Sequence, residues 1–492
     1  MSFQPQSRPE GFERYAHLNA GWEELCKRYL PVVSSSTIWR QSRPFLPRDP
    51  EQGWKLHIPA TVLTANRVMQ ILAPFLSDED VLYKAPASLR ELSRLNSGVF
   101  YGYSQVGKFL TVYPQSNHDA VRLANQLYKL TRRMPAPAVP FDLRYRADGC
   151  VYYRYGAFRI LEMPEAGGTS SYAIRDPEGN LIPDRRESPP ATPGWVSDPF
   201  PHAHRSRPRP ASETPLKTTF KAFRALTQRG KGGVYQAVDL SSSPPRLCVL
   251  KEGRKHGEVT WDGRDGFWRV RHEGHVLAAL HAAGLNVPRV YRSFKAGQNY
   301  FLALEFIEGE SLAARLGRRK RKLTVKAALK IAAELARIVA GIHAAGWAWR
   351  DCKPNNFIIT ESGELRPLDF EGACELGRSD PLPWSTPDYA PPEIQQPFSG
   401  QSRLPEDLYA LGATIHLLLI GRPPGSTFVP LRNKNRRREI PAGLVRLINQ
   451  LLDPDPSQRP PALSAAQRLE SASSSMKRRA AKGKGSCDEP GH

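Results

Sequence analysis

The chain has 492 residues, 40% of them hydrophobic and 9% aromatic, which excludes a wholly disordered polypeptide and calls for two or three domains with packed cores. A formal charge of +22 and a pI near 9.9 point to anionic partners: nucleotide, acidic or phosphorylated peptide, or nucleic acid. Six widely spaced cysteines fit neither a disulfide framework nor a zinc cluster, and scattered basic residues without a reading motif argue against nucleic acid.

The N-terminus, "MSFQPQSRPE", lacks the order of a signal peptide. The longest apolar stretch, "LYALGATIHLLLIG" at 408–421, is too short to span a bilayer. A cytoplasmic location without membrane or nucleic-acid partners is therefore expected.

From residue 1 to about 165, strand-like runs ("FLTVYP", "CVYYRYGAF") mix with helical runs ("HDAVRLANQLYKL"), which predicts an α+β domain. Within it, "GWKLHIPATV" (53–62) reads as a strand that turns Lys55 and His57 to one face and Leu56 to the other. Lys84, Lys108, Arg144, Arg146 and Arg154 also lie in or beside apolar strands. Taken singly, each is an ordinary solvated position. Together they form a cationic set suited to phosphate, because arginine offers paired planar donors and clustered cations depress one another's proton affinity. Residues 166–216 are Pro-rich and basic and read as a semi-rigid connector, 217–470 as a second globular block, and 471–492 as a disordered basic tail. The basic run "RRKRK" (318–322) is either a solvated loop or a contact for an acidic peptide segment.

The second block carries nucleotide chemistry. In "TQRGKGGVYQAV" (227–238), Gly230, Gly232 and Gly233 let a turn lie close over phosphates, and Val234 would cap the adenine. Lys251 in "LCVLKEG" would clamp the α- and β-phosphates, with Glu273 on the following helix to orient it. "WAWRDCKPNNFIIT" (347–360) supplies Asp351 as base, Lys353 beside the γ-phosphate and Asn356 as a magnesium ligand; Asp369 in "LRPLDFEGA" is the main magnesium ligand. "DYAPPE", "EDLYALG" and "DPDPSQRP" follow in order, so this block resembles Ser/Thr protein kinases over its whole length. ATP or another nucleoside triphosphate, with Mg, is the implied cofactor. Two departures stand out: Trp349 replaces the usual histidine, and Glu371 the glycine after Asp369-Phe370. Neither position ligates metal or moves a proton, so the chemistry of an active kinase is retained.

Residues 53–160, with "GWKLHIPAT", "LYKAPASLRELSRLNSG", "GKFLTVYP" and "VYYRYGAF", resemble the N-terminal lyase domain of class III lanthipeptide synthetases, itself similar to bacterial phosphothreonine lyases. "YAIRDPEGNLIPDRRESPPATPGWVSDPF" resembles the connector those enzymes place before their kinase. The resemblance implies phosphorylation of Ser or Thr in a precursor peptide, then metal-free elimination of phosphate to dehydroalanine or dehydrobutyrine. It implies Lys84 as base, His57 as acid and Lys55 as the neutralising charge. Arg146 and Arg154 lead as phosphate clamps, with Arg144 and Lys108 beside them. No cyclase region follows the kinase block, which leaves ring closure to a separate protein, the dehydrated peptide as product, or a truncated frame. The competing expectations are a regulatory kinase with a phosphate-sensing module and a non-catalytic peptide scaffold.

Overall fold

The computed structural model describes residues 8–33, 38–164, 170–187, 190, 192–200, 215–318, 323–378, 380, 384–395, 403–425 and 440–482. The chain divides into two compact units: Phe12–Val270 with Phe294–Phe301, and Met1–Gly11 with Arg271–Ser293 and Leu302–His492. Among the described residues no helix is long and apolar enough to cross a membrane.

The first unit bears out the α+β expectation. After helix α1 (Arg8–Tyr29), a seven-stranded antiparallel sheet is built from β1 (Val32–Val33), β2 (Trp39–Gln41), β3 (Gln52–Ile58), β4 (Leu82–Pro86), β5 (Leu110–Tyr113), β6 (Leu143–Arg144) and β7 (Tyr152–Ala157). Their spatial order is β1-β2-β4-β5-β3-β7-β6. Helices α2 (Ala65–Asp78), α3 (Leu89–Ser97) and α4 (Asn117–Thr131) interleave with the strands. Ser88 caps α3 by accepting from the Glu91 amide, and Gly98 ends it at φ +71°, a conformation that costs a glycine little.

Strand alternation then divides the sheet. Trp54, Leu56, Ile58, Tyr83, Ala85, Leu110, Val112 and Tyr153 are buried in one core with α2 and α4 residues such as Val68, Leu72, Leu123 and Leu127. At about 25 cal/mol per Å² of apolar surface, burying these large side chains fixes the register, since a one-residue slip would turn the core set outward.

The connector is more folded than its proline content predicts. β8 (Glu162–Pro164), β9 (Ser170–Arg175) and β10 (Leu181–Pro183) form a three-stranded antiparallel sheet, and Phe200 is buried in the main core. The alternating "SSYAIR" supplies the pairing edge. Beyond it, β11 (Phe220–Arg229), β12 (Gly232–Asp239) and β13 (Arg246–Gly253) form an antiparallel meander.

In the second unit the amphipathic helix Val325–Ala344, capped by Thr324, packs along helices Leu404–Ile420 and Ala462–Lys482. The last helix runs past residue 470, where the sequence predicts a disordered tail. Ala465, Ala466 and Leu469 are buried and anchor it, and residues 483–492 lie outside the described residues. Of "RRKRK", only Arg318 is described, paired with Glu310; the other four lie outside.

Candidate functional site

On the sheet face opposite the core, strand pairing places the cations in rows. Lys84 pairs with Thr111, Thr111 with His57, His57 with Tyr152 and Tyr152 with Arg144. One step along, Lys55 pairs with Arg154. Directly opposed residues share a face, so five side chains read as candidates from separate segments converge here.

Lys55 and Lys84 line a cavity of about 980 Å³, together with Trp39, Tyr101, Tyr113, Asp184 and Arg186. The Lys84 ammonium stands 4.5 Å from the centre of the Trp39 ring, a cation–π contact that fixes its direction. His57 and Lys108 are almost wholly buried and are not among the cavity's lining residues.

Electrostatics separate their roles. Burial and, secondarily, Arg186 push the Lys84 ammonium down to about 8, so a minor neutral fraction exists at neutral pH. Burial also lowers Lys108, to about 7, against the opposing pull of Asp142. Lys55 falls well below its usual range through burial and the nearby Arg154 charge. His57 goes down to about 4, because burial outweighs the attraction of Asp142, whose own carboxyl is pulled to about 2 by His57 and Lys108 in spite of its burial. The resting pair is therefore neutral imidazole beside ionised carboxylate. Asp142 Oδ2 lies 2.5 Å from His57 Nδ1, and its Oδ1 is 4.0 Å from the Lys108 ammonium. The carboxylate fixes the tautomer with Nδ1 protonated, which leaves Nε2 as the unprotonated ring nitrogen.

Two candidate clamps fare differently from expectation. Arg154 is at the face, but its guanidinium is already paired with Asp184 in a buried contact. Arg146 does not reach the face. Its guanidinium lies over the rings of Tyr128 and Tyr145, 4.5 and 5.5 Å from their centres, and both rings pack with the helix-side core. β6 ends at Arg144 and the chain turns through a Gly149 amide bond to the Arg146 carbonyl, so the alternation that would have kept the two arginines together is lost. Arg144 stays at the sheet edge, exposed, with Nε donating to the Gly149 carbonyl. The residues the sequence did not reveal are Asp142, Asp184 and Arg186.

In the second unit the loop 349–356 is held from beneath. Asp407, fully buried, accepts from the amides of Trp349 and Arg350 at 2.7 and 2.5 Å. The Asp351 carboxylate receives Lys353 Nζ at 2.8 Å, Asn356 Nδ2 at 2.7 Å and the Thr386 hydroxyl at 3.1 Å. Thr386, outside any motif singled out in the sequence, also accepts from Lys353. Burial raises the Asp351 carboxyl, with Lys353 opposing. Arg350 and Asp369 sit at φ +68° and +63°, strain of the sort that collects at active sites.

Trp349 takes over the packing of the missing imidazole. Its Nε1 donates to the Asp369 carbonyl at 2.9 Å and its ring stacks on Phe370 at 5.3 Å. Glu273 accepts from the Phe370 amide at 3.1 Å, so it braces the segment that carries Asp369. Glu371 is buried. Arg350 is paired with Asp380 and Glu406 at 2.8 and 3.0 Å.

In the first unit, Val234 pairs with Lys251 across β12 and β13, which brings the expected adenine cap beside the expected phosphate lysine. Gly232, at φ +155°, accommodates a close approach to the Glu252 carbonyl. Gly230 departs from expectation: its amide donates to the Ser97 carbonyl at 2.9 Å, so that amide is already engaged.

Comparison with known proteins gives two family matches: "RamC, N-terminal domain" over residues 30–212 and "Protein kinase domain" over 223–469, the latter about half the chain. The chain is similar to the probable SapB synthase of Streptomyces coelicolor, 30% identical over 393 residues, covering 77% of this chain and 41% of that protein. It is also similar to serine/threonine-protein kinase F of Synechocystis sp. (27% over 267 residues; 50% of this chain, 53% of that one) and to Aurora kinase C of Mus musculus (30% over 234 residues; 45% and 76%). The chain thus spans less than half the length of the SapB synthase it matches.

Proposed function

Because the chain belongs to the protein kinase family and carries a RamC N-terminal domain ahead of the kinase, we propose that it dehydrates a precursor peptide in two steps, phosphorylating Ser or Thr and then eliminating the phosphate. One observation carries this reading: Lys84, His57, Lys55 and Arg154 occupy one sheet face beside a cavity large enough for a peptide segment.

For the first step, Asp351 accepts the substrate hydroxyl proton, and Lys353 and Thr386 hold its carboxylate in place. Asn356 and Asp369 are hard oxygen donors suited to magnesium; the Asn356 amide nitrogen is bound to Asp351, which leaves the amide oxygen as ligand. With ATP bound against Lys251 and the Gly232–Val234 turn, Mg would neutralise charge on the transferring phosphoryl group.

For the second step, neutral Lys84 takes the α-proton. The C–H electron pair forms the Cα=Cβ bond while the Cβ–O bond breaks, and the phosphate leaves with a proton on its bridging oxygen. His57 supplies that proton: an incoming phosphate dianion raises imidazole proton affinity above its resting state, and Asp142 stabilises the imidazolium. Lys55 and Arg154 balance the charge that develops on oxygen.

The test is mass spectrometry of a Ser/Thr-rich precursor peptide incubated with protein, ATP and magnesium. Loss of one water per modified residue is expected, and Lys84→Ala should strand peptide heavier by whole phosphates. If the unaltered protein leaves only stable phosphopeptide, the N-terminal domain is a phosphate sensor and the chain a regulatory kinase.

A further inference from the structure

The glycine-rich turn of a kinase is ordinarily a free flap over the nucleotide. Here it is fastened. The Gly230 amide donates to Ser97 at the end of α3, and a Cβ at Gly230 would overlap the Asn96 carbonyl. Only glycine allows that approach, so this position serves a contact between the N-terminal domain and the kinase strands. On the far side, the Lys231 carbonyl accepts the Arg254 amide at 2.8 Å, and a Cβ at Gly266 would overlap the same carbonyl.

The Arg254 side chain completes the fastening. Its Nη1 donates to the Arg229 carbonyl at 2.9 Å and to the Tyr103 hydroxyl at 2.5 Å, while Nη2 reaches Gln228 and Glu252 at 2.8 and 2.9 Å. Tyr103 belongs to the N-terminal domain, six residues after Ser97, and its ring meets Phe141 edge-on at 5.8 Å. Phe141, at φ +64°, directly precedes the Asp142 that holds His57. Tyr101, Ser104 and Gln105 of the same 97–105 segment line the cationic cavity.

We propose that Tyr103, acting through Arg254, is a positioning residue for the kinase, so that the N-terminal domain sets the geometry of the nucleotide-binding turn. This rests on the kinase reading given above. Because the segment that braces the turn also walls the cavity, occupancy of the cavity by a phosphopeptide and of the turn by a nucleotide are linked, and linkage of binding is reciprocal.

Tyr103→Phe in the full chain removes one hydroxyl and keeps the ring against Phe141 and beneath the Arg254 guanidinium, which lies 5.1 Å from its centre. A charge-assisted bond to arginine sets the scale, and we expect the KM for ATP in peptide phosphorylation to rise about tenfold with kcat nearly unchanged. A purely structural role would lower the melting temperature and leave KM alone. In the unaltered protein without nucleotide, amide hydrogen exchange at Gly230 should be slowed at least a hundredfold relative to an open loop, as its bond to Ser97 requires. Exchange at the free-peptide rate there, or an unchanged KM in folded Tyr103→Phe, overturns the proposal. Protection at Gly230 in a protein that neither turns over ATP nor binds Mg-ADP would sink the kinase reading and leave the brace standing.

Discussion

Asp142 is the most economical place to test the lyase chemistry, because it touches no solvent and acts only through its neighbours. Asp142→Asn is nearly isosteric but removes the charge 2.5 Å from His57 Nδ1. Two consequences follow. The amide no longer selects the tautomer with Nδ1 protonated, and the imidazolium formed as the acid is recharged loses its counter-ion. Proton transfer from a positioned side chain is worth roughly 10²–10⁴-fold, so elimination should slow by that range, or about 3–5 kcal/mol of barrier. The assay is single-turnover elimination from a chemically prepared phosphothreonine peptide, without nucleotide, followed by mass spectrometry. Circular dichroism would confirm that the variant folds, and loss of the Asp142–Lys108 contact at 4.0 Å should cost little by comparison. A folded Asp142→Asn that eliminates within about threefold of the parent would refute the coupling of Asp142 to His57.

Three further outcomes are expected. If Lys84, pushed down to about 8, is the base, the residual elimination of His57→Ala, in which no acid has to be charged, should quicken about tenfold between pH 7 and 9 and flatten above; a pH-independent rate over that range in this variant removes Lys84 as base. Lys251→Met or Asp369→Asn should abolish phosphorylation while elimination from prephosphorylated peptide continues; loss of both in a folded variant would contradict separate chemistry. Trp349→Ala should cost about 3–5 kcal/mol in urea unfolding, since the ring is fully buried between Phe357 and Phe370, whereas a change under 1 kcal/mol would show that it is not a packing element.

The kinase half was legible because its chemistry sits on short, ordered motifs: Asp351, Lys353 and Asn356 lie within six residues and cannot help meeting. Lys55 and His57 were legible through strand alternation. Asp142 was not, since it reaches His57 from 85 residues away on a loop whose course no local pattern encodes. Arg146 shows the opposite failure: alternation predicts its direction only while the strand lasts, and the strand stops at Arg144. Gly230 was read as part of a turn lying close over phosphates, but the neighbour that a Cβ there would meet is the Asn96 carbonyl, and only packing of the folded chain reveals that. Thr386 carried no spacing signal at all.

If the N-terminal domain takes phosphopeptide as proposed, the contact between Arg154 and Asp184 would make the cavity selective before any chemistry begins. Both side chains are nearly sealed from water. An incoming group that is to reach the guanidinium must therefore displace a carboxylate already in place. A serine or threonine hydroxyl has no charge to offer in exchange, so an unmodified stretch of peptide gains nothing by entering. A phosphate dianion brings two charges and three acceptor oxygens and can win the exchange. On the proposed function, release of inorganic phosphate would let Asp184 reclaim its partner, so the same rivalry that screens entry would speed departure. In that reading the carboxylate would work as a turnstile, admitting only what the kinase has marked and closing behind it.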